Sequence, residues 1–210
     1  MKVLGIIGSR RKNGNTAVLV KATLKALEKV GVSTRAIFLE DYDINGCLGC
    51  EGCREKLECV QKDGMQELYP LILESDAIVI GSPTHFYNIS SSVSAFFERC
   101  YSFEIFDEDD RSVWLSVNEV LGGKYAVVIA VCEQQNQEDM GFTVEAMSMP
   151  LQALGYRVIE TVKVLGIFEK GAALHDGQAV IQATAAGEKL AKTLMLRKMA
   201  ATKLGLKKTK

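Results

Sequence analysis

Short, continuous runs of apolar residues alternate along the chain with stretches in which apolar positions recur at helical spacing. The continuous runs are typical of strands buried on both faces of a sheet and predict strands at 3–7, 34–39, 77–80, 124–132 and 157–164. The amphipathic stretches predict helices at 15–30, around 65–72, and at 90–100, 138–154 and 178–197. Strands that alternate with helices predict an α/β fold, a three-layer sandwich with a five-stranded parallel sheet.

Two segments interrupt this alternation. Residues 103–123 form a long insertion, which is expected to be a functional loop, an assembly arm or a mobile segment. The basic residues 198–210 lack a sustained apolar pattern and are expected to form a solvated, frayed tail. With no internal repeat or linker, residues 1–197 make up one predicted domain, which contains a cysteine-rich loop at 45–60.

The composition restricts the class of protein. The chain has 210 residues and a formal net charge of −1, which gives no support for nucleic acid as a partner. Its apolar runs have the length of strands, so neither a signal peptide nor a membrane span is predicted. Four of the six cysteines lie in one loop, which favours a reducing compartment over a disulfide scaffold. A soluble, cytoplasmic protein is therefore expected.

The cysteine loop carries the strongest chemical signal in the sequence. Its spacing is C-x2-C-x2-C-x5-C, formed by Cys47, Cys50, Cys53 and Cys59. Four thiolates suit zinc or an iron–sulfur cluster, and the tandem x2 spacings favour the cluster because zinc sites more often use two separated pairs. Cys100 and Cys132 stand apart in the sequence and are predicted to be core residues.

A second chemical signal follows the first predicted strand. Residues 8–16 lead from that strand to the start of a helix, which Asn15 or Thr16 is expected to cap. Free backbone amides, the helix dipole and the hydroxyls of Ser9 and Thr16 suit a phosphate group, and basic side chains in the loop add positive charge. The loop has neither the ending of a nucleotide-hydrolysing P-loop nor the glycine pattern of a dinucleotide site.

A third signal follows the third predicted strand. Residues 81–88 combine small residues, a proline, hydroxyls, three aromatic rings and an amide, a mixture that suits a flat heteroaromatic ring. Because ligands of doubly wound sheets bind at the carboxyl edge, we expect this loop and residues 8–16 to form one site.

Together these motifs carry a family resemblance. Residues 8–16 resemble the G-S-x-R-x-x-x-N-T phosphate loop of NADPH-dependent FMN reductase-like proteins, and residues 81–86 resemble their G-S-P-T-Y-F flavin loop. Residues 121–124 and 166–171 are similar to later landmarks of the group. With the cysteine motif added, the chain most resembles the iron–sulfur flavoprotein branch over about residues 2–195. The resemblance implies a flavodoxin-like fold with sheet order 2-1-3-4-5, FMN, a [4Fe–4S] cluster, and a homodimer or homotetramer.

The resemblance also implies roles for the matching positions. The FMN phosphate would be held by Ser9, Arg11, Asn15 and Thr16. The isoalloxazine ring and the ribityl chain would be lined by Pro83, Thr84, His85, Phe86 and Asn88. The cluster would be ligated by Cys47, Cys50, Cys53 and Cys59.

Three positions depart from the family pattern. Arg10 stands where proline is usual, which should loosen the turn and leave the phosphate ligands in place. His85 replaces the usual tyrosine, and residues 132–136 lack the usual glycines, so the flavin contacts of these two regions are left open.

Three functional hypotheses follow. The leading one is an electron-transfer oxidoreductase that couples FMN to a [4Fe–4S] cluster and exchanges electrons with small-molecule or protein partners, with NAD(P)H as a transient donor. The second is an NAD(P)H-dependent FMN or quinone reductase without a cluster. The third is a thiol-based redox or metal sensor. Because the cofactors carry the redox chemistry, no catalytic nucleophile or acid–base pair is predicted.

Overall fold

The computed structural model describes residues 1–206, and its elements alternate as the apolar pattern predicts. The strands are β1 (Lys2–Ile7), β2 (Ser33–Phe38), β3 (Ala77–Pro83), β4 (Glu104–Phe106), β5 (Trp114–Ser116), β6 (Lys124–Val131) and β7 (Tyr156–Val164). The helices are α1 (Asn15–Glu28), α2 (Met65–Glu74), α3 (Ser91–Arg99), α4 (Val117–Val120), α5 (Glu145–Ala153) and α6 (Gly177–Lys203).

The main sheet has the order β2-β1-β3-β6-β7, and each neighbouring pair is parallel. Renumbered along the chain, this is the predicted order 2-1-3-4-5. The two sheet edges lie at β2 and β7, while β1, β3 and β6 lie in the interior. The interior position explains why these three strands are almost entirely buried and read as continuous apolar runs.

Two hydrophobic clusters fill the space on either side of the sheet. Helices α1 and α6 cover one face, with Leu19 and Leu190 among the buried residues. Helices α2, α3 and α5 cover the other face, with Leu68, Phe96 and Leu151. Cys100 and Cys132, which were predicted to be core residues, belong to this second cluster and are 1% and 2% exposed.

The starts of two helices differ from the predictions. The cap of α1 is Gly14, not Asn15 or Thr16, and no side chain caps that end. Helix α5 begins at residue 145 instead of 138, because Gly141 at φ +54° separates it from the single helical turn 137–140.

No helix among residues 1–206 has both the length and the hydropathy to cross a bilayer.

Helix α6 contradicts part of the predicted tail. It continues through residue 203, six residues beyond the predicted end at 197. Residues 198–203 are lysine, methionine, alanine and threonine, of which all but threonine favour a helix once an upstream segment nucleates it. The prediction of a frayed tail was wrong for this part, and residues 207–210 lie outside the described chain.

The insertion at 103–123 is more ordered than an irregular loop. Strands β4 and β5 pair antiparallel as a short hairpin, and its acidic turn is organised by Asp107, whose carboxylate accepts the N–H groups of Asp109 and Asp110. Ser116 and Glu119 then form a capping box at the start of α4. Strands of three residues are too short to produce a detectable alternation, so the sequence pattern did not predict this hairpin.

Candidate functional site

The loops after β1 and β3 are joined to each other at the carboxyl edge of the sheet. The N–H of Gly8 donates to the carbonyl of Gly81 (2.8 Å), and the hydroxyl of Ser90 donates to the carbonyl of Gly8 (2.7 Å). A Cβ at Gly8 would lie 2.1 Å from Cγ2 of Val93, so only glycine allows this approach. The two loops predicted to form one site therefore share a single hydrogen-bonded framework.

The candidate phosphate loop leaves a helix N-terminus open. Helix α1 starts after Gly14 with no side-chain cap, so its first N–H groups have no partner from a capping side chain. Ser9 and Thr16 are buried beside this end at 8% and 2% exposure. The guanidinium of Arg11 is held by the carbonyl of Phe168 (3.2 Å) and lies 5.3 Å from the centre of the Phe168 ring. Unpaired amides, the helix dipole and a positioned cation together suit an anion.

Asn15 has a structural partner that the sequence did not reveal. Its amide nitrogen donates to the carbonyl of Glu169 (3.0 Å), and its amide oxygen accepts the N–H of Ala173 (3.1 Å). The side chain thus fastens residues 167–173 to the start of α1. Residues 166–171 are similar in sequence to a family landmark, but that similarity does not predict their contact with Asn15, which depends on the tertiary fold. A contact between Asn15 and the phosphate stays a prediction. Because the side chain is engaged by residues 169 and 173, the backbone N–H of Asn15 is the group left to make that contact.

The candidate ring loop turns sharply at two aromatic residues. His85 and Asn88 exchange two backbone hydrogen bonds (2.7 and 3.1 Å), with Phe86 at φ +48° and Tyr87 at φ +65° between them. Bulky side chains rarely adopt positive φ, so the turn is strained. Phe86 is 96% exposed, and its ring projects from the edge of the sheet.

A segment after β6 supports the strained turn. The N–H of Phe142 donates to the carbonyl of Tyr87 (2.8 Å), and the hydroxyl of Thr143 donates to that of Thr84 (3.0 Å). A Cβ at Gly141 would lie 2.2 Å from the Tyr87 carbonyl oxygen, which requires glycine there. Sequence reasoning placed residues 140–143 in a helix and missed this contact.

The structure brings the four cysteines of the loop to one cavity of about 510 Å³, which we call the cysteine cavity. All four are free thiols; Cys47 and Cys50 are exposed, and Cys53 and Cys59 are partly buried. Four aromatic side chains also line this cavity: Phe97, Tyr101, Phe106 and Trp114. Among residues 1–206, no three histidine, cysteine or acidic side chains converge into an assembled metal-binding group.

The thiols are nevertheless close enough to affect each other. Burial raises the pKa of the Cys53 thiol, and the sulfurs of Cys59, Cys47 and Cys50 raise that pKa further by repulsion between thiolates. Such repulsion favours protonated thiols in the absence of a compensating positive charge. The donor set therefore fits a soft cationic centre, whose binding would relieve the repulsion.

A buried ion pair anchors the cysteine loop. The guanidinium of Arg99, at the end of α3, bonds to the Asp63 carboxylate and donates to the carbonyl of Asn45 (3.1 Å). The same carboxylate accepts the N–H groups of Asn45 (3.1 Å) and Met65 (3.0 Å). Burial alone would raise the pKa of Asp63, but Arg99 and these two N–H groups outweigh it and lower that pKa. Both ends of the loop are thereby fixed to one point.

Helix α3 connects the two candidate sites. Ser90, the residue before its first turn, belongs to the ring-loop framework, while Arg99 at its last turn anchors the cysteine loop. At 1.5 Å of rise per residue, the two positions are about 14 Å apart along the axis. A second cavity of about 690 Å³, the α3 groove, begins at Asn88 and shares Phe97 and Glu98 with the cysteine cavity.

Comparison with known proteins relates this arrangement to flavin enzymes. Residues 1–165 match the family described as NADPH-dependent FMN reductase. An iron–sulfur flavoprotein of Archaeoglobus fulgidus is 41% identical over 99 residues, which cover 47% of this chain and 45% of that protein. An iron–sulfur flavoprotein of Methanocaldococcus jannaschii is 32% identical over 137 residues, 65% and 64% of the two chains. The chain spans about half the length of the first curated relatives it matches.

A solved structure supports the fold prediction. A flavone reductase superposes with a TM-score of 0.67 at 18% identity, covering 91% of this chain and 62% of that one. Likeness at this level of identity concerns the fold alone. Together with the observed strand order, it confirms the predicted flavodoxin-like architecture.

Proposed function

Because the chain belongs to the NADPH-dependent FMN reductase family, we propose that it is a flavin-dependent oxidoreductase of the iron–sulfur flavoprotein branch. It holds FMN at the carboxyl edge of the sheet and a [4Fe–4S] cluster in the cysteine loop. The observation that carries the proposal is that four free thiols line one cavity, which the α3 groove joins to the ring loop. Helix α3 runs from the framework of the ring loop to the anchor of the cysteine loop, so the two proposed sites are linked by one helix.

The loop after β1 supplies the phosphate site. The open amides at the start of α1 and the hydroxyls of Ser9 and Thr16 donate hydrogen bonds to the phosphate oxygens. Arg11, already oriented by Phe168, neutralises charge at the mouth of the site. No rearrangement of the β1–β3 framework is needed, because its hydrogen bonds are internal to the protein.

The loop after β3 supplies the ring site. Thr84, His85 and Asn88 offer polar groups to the edge of the isoalloxazine, and Pro83 bounds the ribityl chain. The exposed ring of Phe86 offers an apolar face to the flavin or to its redox partner. Backbone strain at this turn is maintained by its bonds to residues 142 and 143, so the groups stay oriented when the site is empty.

The cysteine loop supplies the ligands of the second centre. The number of thiols and their softness as donors fit an iron–sulfur cluster; the four are Cys47, Cys50, Cys53 and Cys59. Two buried nitrogens of Arg99 have no hydrogen-bond partner in the described chain and could donate to a sulfur of that site. Bound together, FMN and a cluster would couple two-electron donors such as NAD(P)H to one-electron acceptors. The aromatic side chains of the cavity provide an apolar wall next to the thiols. A homodimer or homotetramer with small-molecule or protein redox partners in the cytoplasm remains part of the proposal.

The proposal is tested on protein purified without oxygen, by its visible spectrum together with its iron, acid-labile sulfide and FMN content. We expect one FMN and about four irons per chain, with a broad absorption that dithionite bleaches. Absence of FMN from protein that retains zinc would overturn the proposal and point to a thiol-based sensor.

A reductase without a cluster is a second candidate, favoured by the finding that the thiols within residues 1–206 do not converge into an assembled group. Flavin bands without iron or sulfide, persisting after anaerobic reconstitution, would select it. Rapid reduction of the bound FMN by NADPH in that iron-free protein is then the expected activity. Slow reduction by both NADPH and NADH would exclude it.

A further inference from the structure

The guanidinium of Arg99 has more hydrogen-bond donors than the structure satisfies. Its side chain is 0% exposed, and one nitrogen, Nη1, makes the bonds to Asp63 and Asn45. Its Nε and Nη2 are buried and have no hydrogen-bond partner among the described residues. A buried donor on a cation that lacks an acceptor costs folding free energy, so the arrangement requires an explanation.

The Cys59 thiol lies close to this guanidinium and lines the cysteine cavity. Burial alone would lower the pKa of Arg99, but its bond to Asp63 reverses the shift, and the neighbouring Tyr69 and Cys59 raise that pKa further. The Tyr69 hydroxyl is already committed as a donor to the carbonyl of Arg99 (3.0 Å). A protonated thiol is a weak acceptor, whereas a thiolate is a strong one for a charged N–H donor.

We propose that Arg99 is a positioning residue of the cysteine site, whose Nε–H and Nη2–H groups donate to the sulfur of Cys59 when that sulfur binds metal as a thiolate. These bonds orient the Cys59 ligand and place a fixed positive charge beside it. The part concerning a cluster rests on the proposed function. When a bound cluster gains one electron from a reductant, its net charge becomes more negative, so Arg99 favours the reduced state and raises the reduction potential.

Arginine suits this position better than lysine. Its planar fork lets one edge bond the Asp63 carboxylate and the Asn45 carbonyl while the other edge remains free for sulfur. Lysine carries its charge on one nitrogen, which the same two acceptors would hold at their own position, so no second nitrogen would extend toward the sulfur. The substitution R99K therefore keeps the ion pair and removes the donors that face Cys59.

The first experiment uses Co²⁺ as the probe on reduced, metal-free full-length protein under argon. Thiolate-to-cobalt charge-transfer absorption reports binding, while circular dichroism and FMN content report folding. We expect R99K to bind Co²⁺ at least about tenfold more weakly than the native chain. R54K is the matched control, because it makes the same exchange within the cysteine loop at an exposed arginine that bonds Glu51, and it should retain the affinity to within about threefold. Equal affinities of R99K and the native chain would overturn the proposal.

The second experiment measures the reduction potential of the iron–sulfur centre after anaerobic reconstitution. R99K should lower it by about 59 mV, the one-electron equivalent of a tenfold change. D63N removes the negative charge that bonds the same guanidinium and should raise the potential. Shifts of the same sign in both variants would indicate a purely structural role for the ion pair and overturn the proposal.

Two further outcomes keep the proposals separable. If the native chain binds Co²⁺ but takes up neither iron nor sulfide, the cluster part of the proposed function fails, while the cobalt comparison still decides the role of Arg99. If R99K does not fold, R99M/D63N replaces the ion pair by neutral groups of similar volume, a change that buried pairs often tolerate. Its Co²⁺ affinity should fall as for R99K, and native-like affinity would overturn the proposal.

Discussion

The two candidate sites of this protein are built in different ways. At the sheet edge, backbone groups bond to backbone groups: Gly8 to Gly81, His85 to Asn88, and Phe142 to Tyr87. In the cysteine loop, residues 45–61 contain no helix or strand and are held mostly by side chains. The edge site is therefore a consequence of the sheet itself, whereas the cysteine site depends on particular side chains and on the centre that its thiols bind.

Side-chain anchors of the cysteine loop come from several directions. Glu98 accepts the N–H of Cys47 (3.1 Å), and Arg111 of the β4–β5 hairpin pairs with Glu51 (2.8 Å). Gln61 donates to the carbonyl of Gly46 (3.1 Å). Apart from the buried Arg99 pair, these contacts are exposed, and exposed ion pairs contribute about 0–1 kcal/mol each. The buried pair of Arg99 and Asp63 therefore contributes most of the anchoring of the cysteine loop.

The largest expected effect comes from breaking the framework of the edge site. Gly8→Ala forces a methyl group against Val93, which should destabilise the fold by about 1–3 kcal/mol and abolish FMN retention. Thermal denaturation and FMN content measure the two effects. Gly177→Ala is the control, since a Cβ there meets nothing within 4 Å, and it should leave both unchanged. A Gly8→Ala variant that retains FMN would contradict the claim that backbone packing builds this site.

Removing a thiol should separate the two sites. Cys50→Ala takes away a proposed ligand that lies in no core cluster, so we expect loss of all iron with FMN content unchanged. Cys132→Ala is the control: this cysteine is buried in the core and should cost some stability while iron is retained. Iron content that survives Cys50→Ala would remove Cys50 from the ligand set.

A smaller effect is expected from the charge at the phosphate loop. Arg11→Met should weaken FMN binding about tenfold, because one charge-assisted contact to the phosphate is lost. Equilibrium titration of FMN fluorescence measures it, and the loss should shrink at high salt. Arg10 offers a matched control, since it pairs with Glu40 on the exposed surface, and Arg10→Met should change the affinity less than twofold. Equal losses in both variants would argue for non-specific electrostatics.

The smallest effect concerns an acidic residue of the cysteine cavity. Burial raises the pKa of Glu104 to about 7, and the nearby Glu119 adds to the shift. Because the folded chain holds this proton more tightly, the contribution of Glu104 to stability is full below about pH 4.5 and is lost as the pH rises through 7. Glu104→Gln should therefore raise the melting temperature more at pH 8 than at pH 5.

Glu108→Gln provides the reference for that comparison, since Glu108 lies on the exposed hairpin turn. Its melting temperature should follow that of the native chain at both pH values. A Glu104→Gln variant whose gain does not depend on pH would mean that hydrogen bonding, and not the charge of Glu104, limits stability there.

The sequence alone determined the parallel sheet and the order of its elements. Continuous apolar runs mark strands buried on both faces, and this pattern is local to each strand. The cysteine spacing likewise determined that four thiols share one loop, because a chain of thirteen positions has little room to separate them. Short strands such as β4 escaped prediction, since three residues carry too little periodicity.

Only the tertiary structure decided which side chains from distant segments meet. Asn15 bonds to residues 169 and 173, Thr143 supports Thr84, and Arg99 reaches Asp63 and the cysteine loop from the end of α3. None of these pairs is linked by spacing or periodicity, because each depends on how helices and loops pack across the sheet. Hydrophobic patterning specifies the framework, and the partners of buried polar groups are specified only when that framework closes.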